Sequence, residues 1–454
     1  MITYSIIQKS QLEGALRLDA EYYQSEYLSL ISKIKSQKSK FLGEIGKVAY
    51  GTTPQGGIFE QSGIPFIRSQ NFSNLLVDTS DLVFCTKEFH QQNKKSAIQP
   101  GDILFAAVGA TIGEVTIVQD EIEEGNINQN IARVRITDKS INPYFAGFFF
   151  ASRPGQLQIE RLITGNAQPY LNSEQIKSFI IPVLPVEQQR EIADYFQKIQ
   201  NQIKISQDLY SQAENLLLEE LGLKNFKIED DLFYIVNLSE VKSAHRADAE
   251  YFQPKYERLI SKIKYKMEKL NNLLLPKKGI KKGIEIGSEQ YQEEGKLFIR
   301  VSNLSKHGLV ERDQKYLSEA LYQKLKKDFE PKVGEILLTK DATPGIAYLL
   351  KEPIEGIIAG GILRLRVKPD IDPEYLALVI NSIAGQMQVE KDTGGSVIFH
   401  WRPDQIKNLL IPILPKPTQQ KIADLVQKSH EARKKAKQLL EEAKRKVEEL
   451  IEKN

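Results

Sequence analysis

RLDAEYYQSEYLSLISKIK occupies residues 17–35, and RADAEYFQPKYERLISKIK occupies residues 246–264. The two stretches lie 229 residues apart, and matches at offsets of 229 to 233 continue along the chain. PFIRSQNFS (65–73) pairs with LFIRVSNLS (297–305), and PGDIL (100–104) with VGEIL (333–337). GATIGEV (109–115) pairs with DATPGIA (341–347), NIARVRI (130–136) with GILRLRV (361–367), and EQIKSFIIPVLP (174–185) with DQIKNLLIPILP (404–415). Short repeats would signal a solenoid; one unit of about 225 residues written twice signals two domains related by pseudo-symmetry.

Each copy has two parts. The first opens with a helix, at 19–35 in the first copy, followed by short β-like runs punctuated by Gly and Pro: VAYGTTP, GDILFAAVG, EVTIV and IARVRI. The second begins after IPVLP or IPILP and reads as a long proline-poor helix, at 186–223 and 418–453. Ile192, Phe196, Ile199, Ile203, Ser206, Tyr210, Ala213 and Leu217 alternate spacings of four and three. Ile422, Val426, Ser429, Arg433, Ala436, Leu440, Ala443 and Val447 keep that register. Such a stripe calls for a partner helix. At 1.5 Å per residue each helix spans roughly 50 Å, too long to lie on one domain, so the two are expected to pair with each other. A two-fold relation between the copies makes that pair antiparallel. The expected fold class is α+β: two pseudo-two-fold-related mixed α/β domains separated by two long antiparallel helices forming a coiled coil. The expected segments are 1–185, a central helix at 186–225, 226–415, and a C-terminal helix at 416–454.

Composition narrows the function. The 454 residues carry 62 Lys+Arg against 59 Asp+Glu, a net charge of +3, so nucleic-acid binding would have to come from local patches. A lone cysteine, Cys85, excludes a disulfide framework and a cysteine-based zinc site, and five scattered histidines leave little for a metal cluster. No signal peptide or membrane span is read, and a cytoplasmic protein is expected. Catalytic motifs are not found. Asn142-Pro143-Tyr144-Phe145 lacks the second proline of the amino-methyltransferase motif, and its counterpart Asp372-Pro373-Glu374-Tyr375 begins a helix. Neither a Gly-rich cofactor loop nor a phosphate loop is present.

These ordered, duplicated pieces resemble the specificity (S) subunit of type I restriction–modification systems. The resemblance is carried by GTTP at Gly51, GIPFIR at Gly63, QPGDILF at Gln99, GATIG at Gly109, KKGIEIGSEQY at Lys281, and by IPVLP and IPILP, each followed by a Gln-rich helix start. It implies that 1–185 and 226–415 are target recognition domains, each reading half of a split double-stranded DNA target. It also implies two methyltransferase (M) subunits, which methylate adenine with S-adenosylmethionine, and restriction (R) subunits. S-adenosylmethionine, ATP and Mg belong to those partners; the chain itself is expected to bind no cofactor or metal and to be non-catalytic. Domains about 50 Å apart would be centred about 15 base pairs apart, leaving a fixed unread spacer.

Where the copies agree they serve a shared scaffold or partner; where they differ they can read different half-sites. Three loops differ: 52–57 against 284–289, 75–98 against 307–330, and 164–170 against 394–400. From them come the base-reading candidates Thr52, Thr53, Gln55, Asn166, Gln168, Tyr170 and His400, since amides bond adenine edges and Thr contacts the thymine methyl. Lys277, Lys278, Lys281 and Lys282 form a basic cluster suited to phosphates. Arg68, Asn71, Arg300 and Asn303, in the matching PFIRSQNFS and LFIRVSNLS segments, join the DNA-binding candidates; the arginines, set in identical FIR contexts, read as phosphate contacts or scaffold ion pairs. Arg133, Arg135, Arg364 and Arg366 alternate on a strand read as solvated. Glu187, Gln188, Gln189 and Asp194, matched by Gln419, Gln420 and Asp424, are the candidate docking set for the M subunits. The alternative is a coiled-coil protein–protein adaptor without DNA readout, which leaves the loop divergence unexplained.

Overall fold

The repeated Arg-x-Asp motif folds into the same clasp twice. Arg17 grips Asp19 through two bonds of 2.8 and 2.6 Å, and Arg246 grips Asp248 at the same two distances. Each guanidinium also lies over a ring of its own motif, Tyr22 at 4.5 Å and Tyr251 at 4.6 Å. A short 3-10 turn follows in each copy, then a helix, Ser25–Lys35 in the first and Pro254–Lys262 in the second. The computed structural model describes residues 5–10, 12, 17–109, 111–163, 169–276, 278–311, 313–393 and 399–453.

The chain divides into two compact units, Met1–Lys204 with Arg433–Asn454, and Ile205–Ala432. In the first, one sheet has the strand order Gly46–Tyr50, Ile131–Ile136, Ile103–Ala106, Val115–Ile117, Leu76–Val77, Phe72–Ser73. A second runs Val83–Cys85, Ile64–Ile67, Gly125–Ile127, Ala97–Ile98, with a parallel pairing of Ile64–Ile67 against Gly125–Ile127. In the second unit the matching sheets run Ile280–Lys282, Ile362–Leu365, Ile336–Thr339, Ala347–Leu349, and Lys315–Leu317, Lys296–Ile299, Gly356–Ile358, again with one parallel pair. Both units are thus mixed α/β, as the alternation of short strands and helices predicts.

The helix-start reading of the Asn-Pro and Asp-Pro segments holds. Asn142 and Asp372 each cap a helix by accepting from two backbone N–H groups, with proline at the first turn. The first of these helices, Pro143–Ala151, buries Phe145, Phe148, Phe149 and Phe150. In the second unit Trp401 packs in the core, its indole N–H donating to Asp392 at 2.9 Å. Cys85 is buried, and burial pushes its thiol up to about 11, as suits a structural side chain.

The heptad stripes fold as two long helices, Val186–Glu220 and Lys416–Lys453. Each unit holds half of both. In the first, Ile192, Phe196 and Ile199 share a core with Ala436, Leu440, Ala443 and Val447. Tyr195 donates to Glu442 at 2.6 Å and Lys446 pairs with Glu191, so rising numbers on one helix meet falling numbers on the other. In the second unit Tyr210, Ala213 and Leu217 share a core with Ile422 and Val426. The buried hydroxyls of Ser206 and Ser429 lie 3.0 Å apart, and Ser429 Oγ lies 2.7 Å from the Ser206 carbonyl, its acceptor. The pairing within each unit is antiparallel.

The copies diverge where helix Pro373–Asn381 lies beside the long helix of the second unit. Glu374 is buried there, pairs with Lys351, and lies 3.7 Å from His430 Nδ1. Burial pushes its carboxyl above the ordinary range, against the pull of Lys351. The first copy places Tyr144 at this position, stacked on Phe196 at 4.6 Å.

Candidate nucleic-acid interface

The loop at 52–57 leaves its strand through a glycine that no other residue can replace without a shift. A Cβ on Gly51 would run into the carbonyl oxygens of Ile127 and Asn128, and one on Gly283 into those of Ile358 and Ala359. The backbone then leaves along the same path: Thr52 N–H donates to Ile127 at 3.1 Å and Ile284 N–H to Ile358 at 3.0 Å. Thr52 and Thr53 are half-buried, while Gln55 is exposed on the short turn Gln55–Gly57. Tyr170 and His400 are both exposed and occupy matching bridges, Tyr170 against Val108 and His400 against Asp341. Asn166, Gln168 and Lys277 lie outside the described residues. Lys278 is exposed; Lys281 and Lys282 follow on strand Ile280–Lys282, and Lys282 Nζ stands 3.5 Å from Glu285.

Arg68, Arg300, Asn71 and Asn303 are engaged within their own units, the arginines in the ion pairs that were one of their two expected roles. Arg68 Nη2 donates to the Asp81 carbonyl at 3.0 Å and reaches its carboxylate at 3.4 Å. Arg300 makes the same contacts to Asp313, at 2.8 Å to the carboxylate, and holds that carboxyl below its usual range. Asn71 and Asn303 are buried; each Oδ1 accepts the backbone N–H of its arginine, at 2.9 and 3.2 Å. These four side chains lock a turn, which is why both copies keep them.

The arginine strand is not a solvated face either. Asp102 is buried and takes both Nε and Nη2 of Arg135, at 2.8 and 2.7 Å, while Arg133 donates to the Ala97 carbonyl at 2.5 Å. In the second unit buried Glu335 takes Arg366 Nε at 2.7 Å, and Arg364 donates to the carbonyls of Asp328 and Glu330. Burial lowers the values of Arg133 and Arg364. The carboxylates come from PGDIL and VGEIL, a matched pair to which the sequence assigned no role. An acid and a basic strand kept together in both copies was the available signal.

The docking set also contracts. Gln189 and Gln419 are buried and turned inward. Gln189 accepts from Asn142 N–H at 2.7 Å and donates to the carbonyls of Ser140 and Leu184; Gln419 accepts from Asp372 N–H at 3.1 Å and donates to Leu414. They fasten each helix start to its own unit. Glu187, Asp194, Gln420 and Asp424 are exposed, and Gln188 is half-buried. Gln420 donates to Asp424 at 2.9 Å.

Among the described residues no group of three or more His, Cys, Asp or Glu could hold a metal ion, and no helix is long and apolar enough to cross a membrane.

A family model described as "Type I restriction modification DNA specificity domain" matches residues 34–215 and 280–445. The chain is 28% identical over 170 residues to the type I restriction enzyme EcoBI specificity subunit of Escherichia coli, covering 37% of this chain and 35% of that one. It is 29% identical over 223 residues to the EcoR124I/EcoR124II specificity subunit of the same organism, covering 47% and 51%. The matches span about a third to a half of the length of these curated relatives. Among solved structures, the S subunit of a type I restriction–modification system from M. genitalium aligns over 90% of this chain and 95% of that one, at 12% identity and a TM-score of 0.42.

Proposed function

Since the chain belongs to the type I restriction modification DNA specificity domain family, we propose that it selects the DNA sequence on which a methyltransferase complex acts. The observation that carries this reading is a duplicated frame with unlike surfaces. The clasps, turn locks and buried acid–arginine pairs repeat in both copies, while the exposed side chains on the matching loops differ. A frame kept twice with different tips suits a target in two different halves.

In this reading 1–185 and 226–415 are the recognition domains, and 186–225 and 416–454 are the helices that hold them. Thr52, Thr53, Gln55, Asn166, Gln168, Tyr170 and His400 face bases, and Lys277, Lys278, Lys281 and Lys282 face phosphates. Glu187, Gln188, Asp194, Gln420 and Asp424 receive two methyltransferase subunits; restriction subunits join for cleavage. The chain contributes sequence choice and no chemistry, and S-adenosylmethionine, ATP and Mg are held by the partners. The assembly works in the cytoplasm.

The test is sequencing of methylated adenines in DNA exposed to the complex assembled on this chain. Two short motifs separated by a constant unread spacer are expected. Methylation at a single continuous motif, or without sequence preference, would overturn the proposal.

A further inference from the structure

Two loops are zipped together in the same way in each unit. In the first, Leu171 N–H donates to the Ala107 carbonyl at 2.9 Å, and Val108 bridges Tyr170. In the second, Trp401 N–H donates to the Lys340 carbonyl at 2.7 Å, and Asp341 bridges His400. The anchors beneath, Leu171 and Trp401, are both about 1% exposed. Backbone position at the bridge is therefore common to both units and held from below.

The side chains set on this frame are chemically unlike. The first unit presents the half-buried Val108 and the phenol of Tyr170, 46% exposed. The second presents an imidazole and a carboxylate: His400 Nδ1 lies 2.8 Å from Asp341 Oδ1, and Lys340 pairs with the other Asp341 oxygen. Burial opposes ionisation of Asp341, but Lys340 and His400 outweigh it and hold the carboxyl below its usual range. An ionised Asp341 accepts a hydrogen bond from Nδ1–H of the ring and so orients it. Nε2 is then the outward ring nitrogen, on a side chain that is 65% exposed.

Resting on the DNA role proposed above, we propose that this bridge is where the two units tell their half-sites apart, through Val108 and Tyr170 in one and Asp341 and His400 in the other. An exposed ring nitrogen at His400 Nε2 can hydrogen-bond a base edge in the major groove. Val108 offers an apolar surface to a thymine methyl, beside a tyrosine hydroxyl that can donate or accept. Four side chains change the chemistry presented on a matching bridge.

The test exchanges the pairs. D341V/H400Y gives the second unit the first unit's bridge, and V108D/Y170H does the reverse. Each full chain is purified with the methyltransferase of its own system and used to select from duplexes randomised at both half-sites. In each variant the base preference is expected to change in one half-site alone, with about a ten-fold loss for the native half-site. Variants that keep the wild-type preference overturn the proposal, as do changes spread over both half-sites or an equal loss of affinity for every sequence. A wild-type complex that selects no sequence would overturn the DNA role itself, a result distinguishable from a selective wild type with unaltered variants. If an exchange fails to fold, H400F and Y170F, which keep an aromatic ring and remove the hydrogen-bonding atoms, are read by the same outcomes.

Discussion

The serine pair between the long helices supports a quantitative prediction, because its two hydroxyls have unequal work. Ser429 Oγ makes both bonds, to the Ser206 hydroxyl at 3.0 Å and to the Ser206 carbonyl at 2.7 Å; the Ser206 hydroxyl takes part in the first alone. Both residues are fully buried. A net contribution of about 0.5–1.5 kcal/mol per buried hydrogen bond puts S206A at that cost. S429A removes both bonds and leaves the Ser206 hydroxyl stranded, for about 1–3 kcal/mol. The double variant removes the shared bond only once and strands no hydroxyl, so its cost falls below the sum of the singles by about 1 kcal/mol. Urea unfolding followed by tryptophan fluorescence is the assay, because the single tryptophan, Trp401, lies buried in the unit that contains both serines. A double-mutant cycle at unchanged m-value gives the coupling. An S206A variant as costly as S429A, or additivity of the two, would refute the assignment of bonds.

Three further predictions follow from the other sites. Glu374 has a folded-state value raised above the unfolded 4.5, so the stability tied to its protonation is present below pH 4.5 and lost as pH rises through the folded value. Glu374→Gln should therefore gain on the wild type in melting temperature as pH is raised from 4 to 8, and a constant difference would contradict the burial argument. K278A/K281A/K282A should reduce the slope of log DNA affinity against log salt by about 2–3 while leaving the selected sequence unchanged. A shift in base preference would instead make these lysines readers. D194K and D424K reverse exposed charges near the helix starts, and each should abolish co-purification of one methyltransferase subunit with thermal melting unaltered. Retention of both subunits would remove these aspartates from the docking surface.

The duplication, the long helices and the helix starts were legible in the chain because each is written in local or periodic terms. A repeat needs only comparison of the sequence with itself, a heptad needs only spacing, and an Asn-Pro or Asp-Pro start needs only its neighbours. The roles of matched polar residues were decided by contacts far apart in sequence. Arg135 meets Asp102 across 33 positions, and Gln189 meets Asn142 across 47. Nothing in the spacing distinguishes an arginine facing solvent from one gripping a buried acid, since either suits an alternating strand. Gln189 reads as a docking residue in a polar helix start, yet burial obliges its amide to satisfy backbone groups of its own unit. The bridge of Asp341 to His400 likewise joins loops 59 residues apart. Sequence specified the duplicated plan and the helical stripe; tertiary packing decided which polar groups were consumed inside that plan and which remained at its surface, because a buried polar group must find its partner wherever the fold places one.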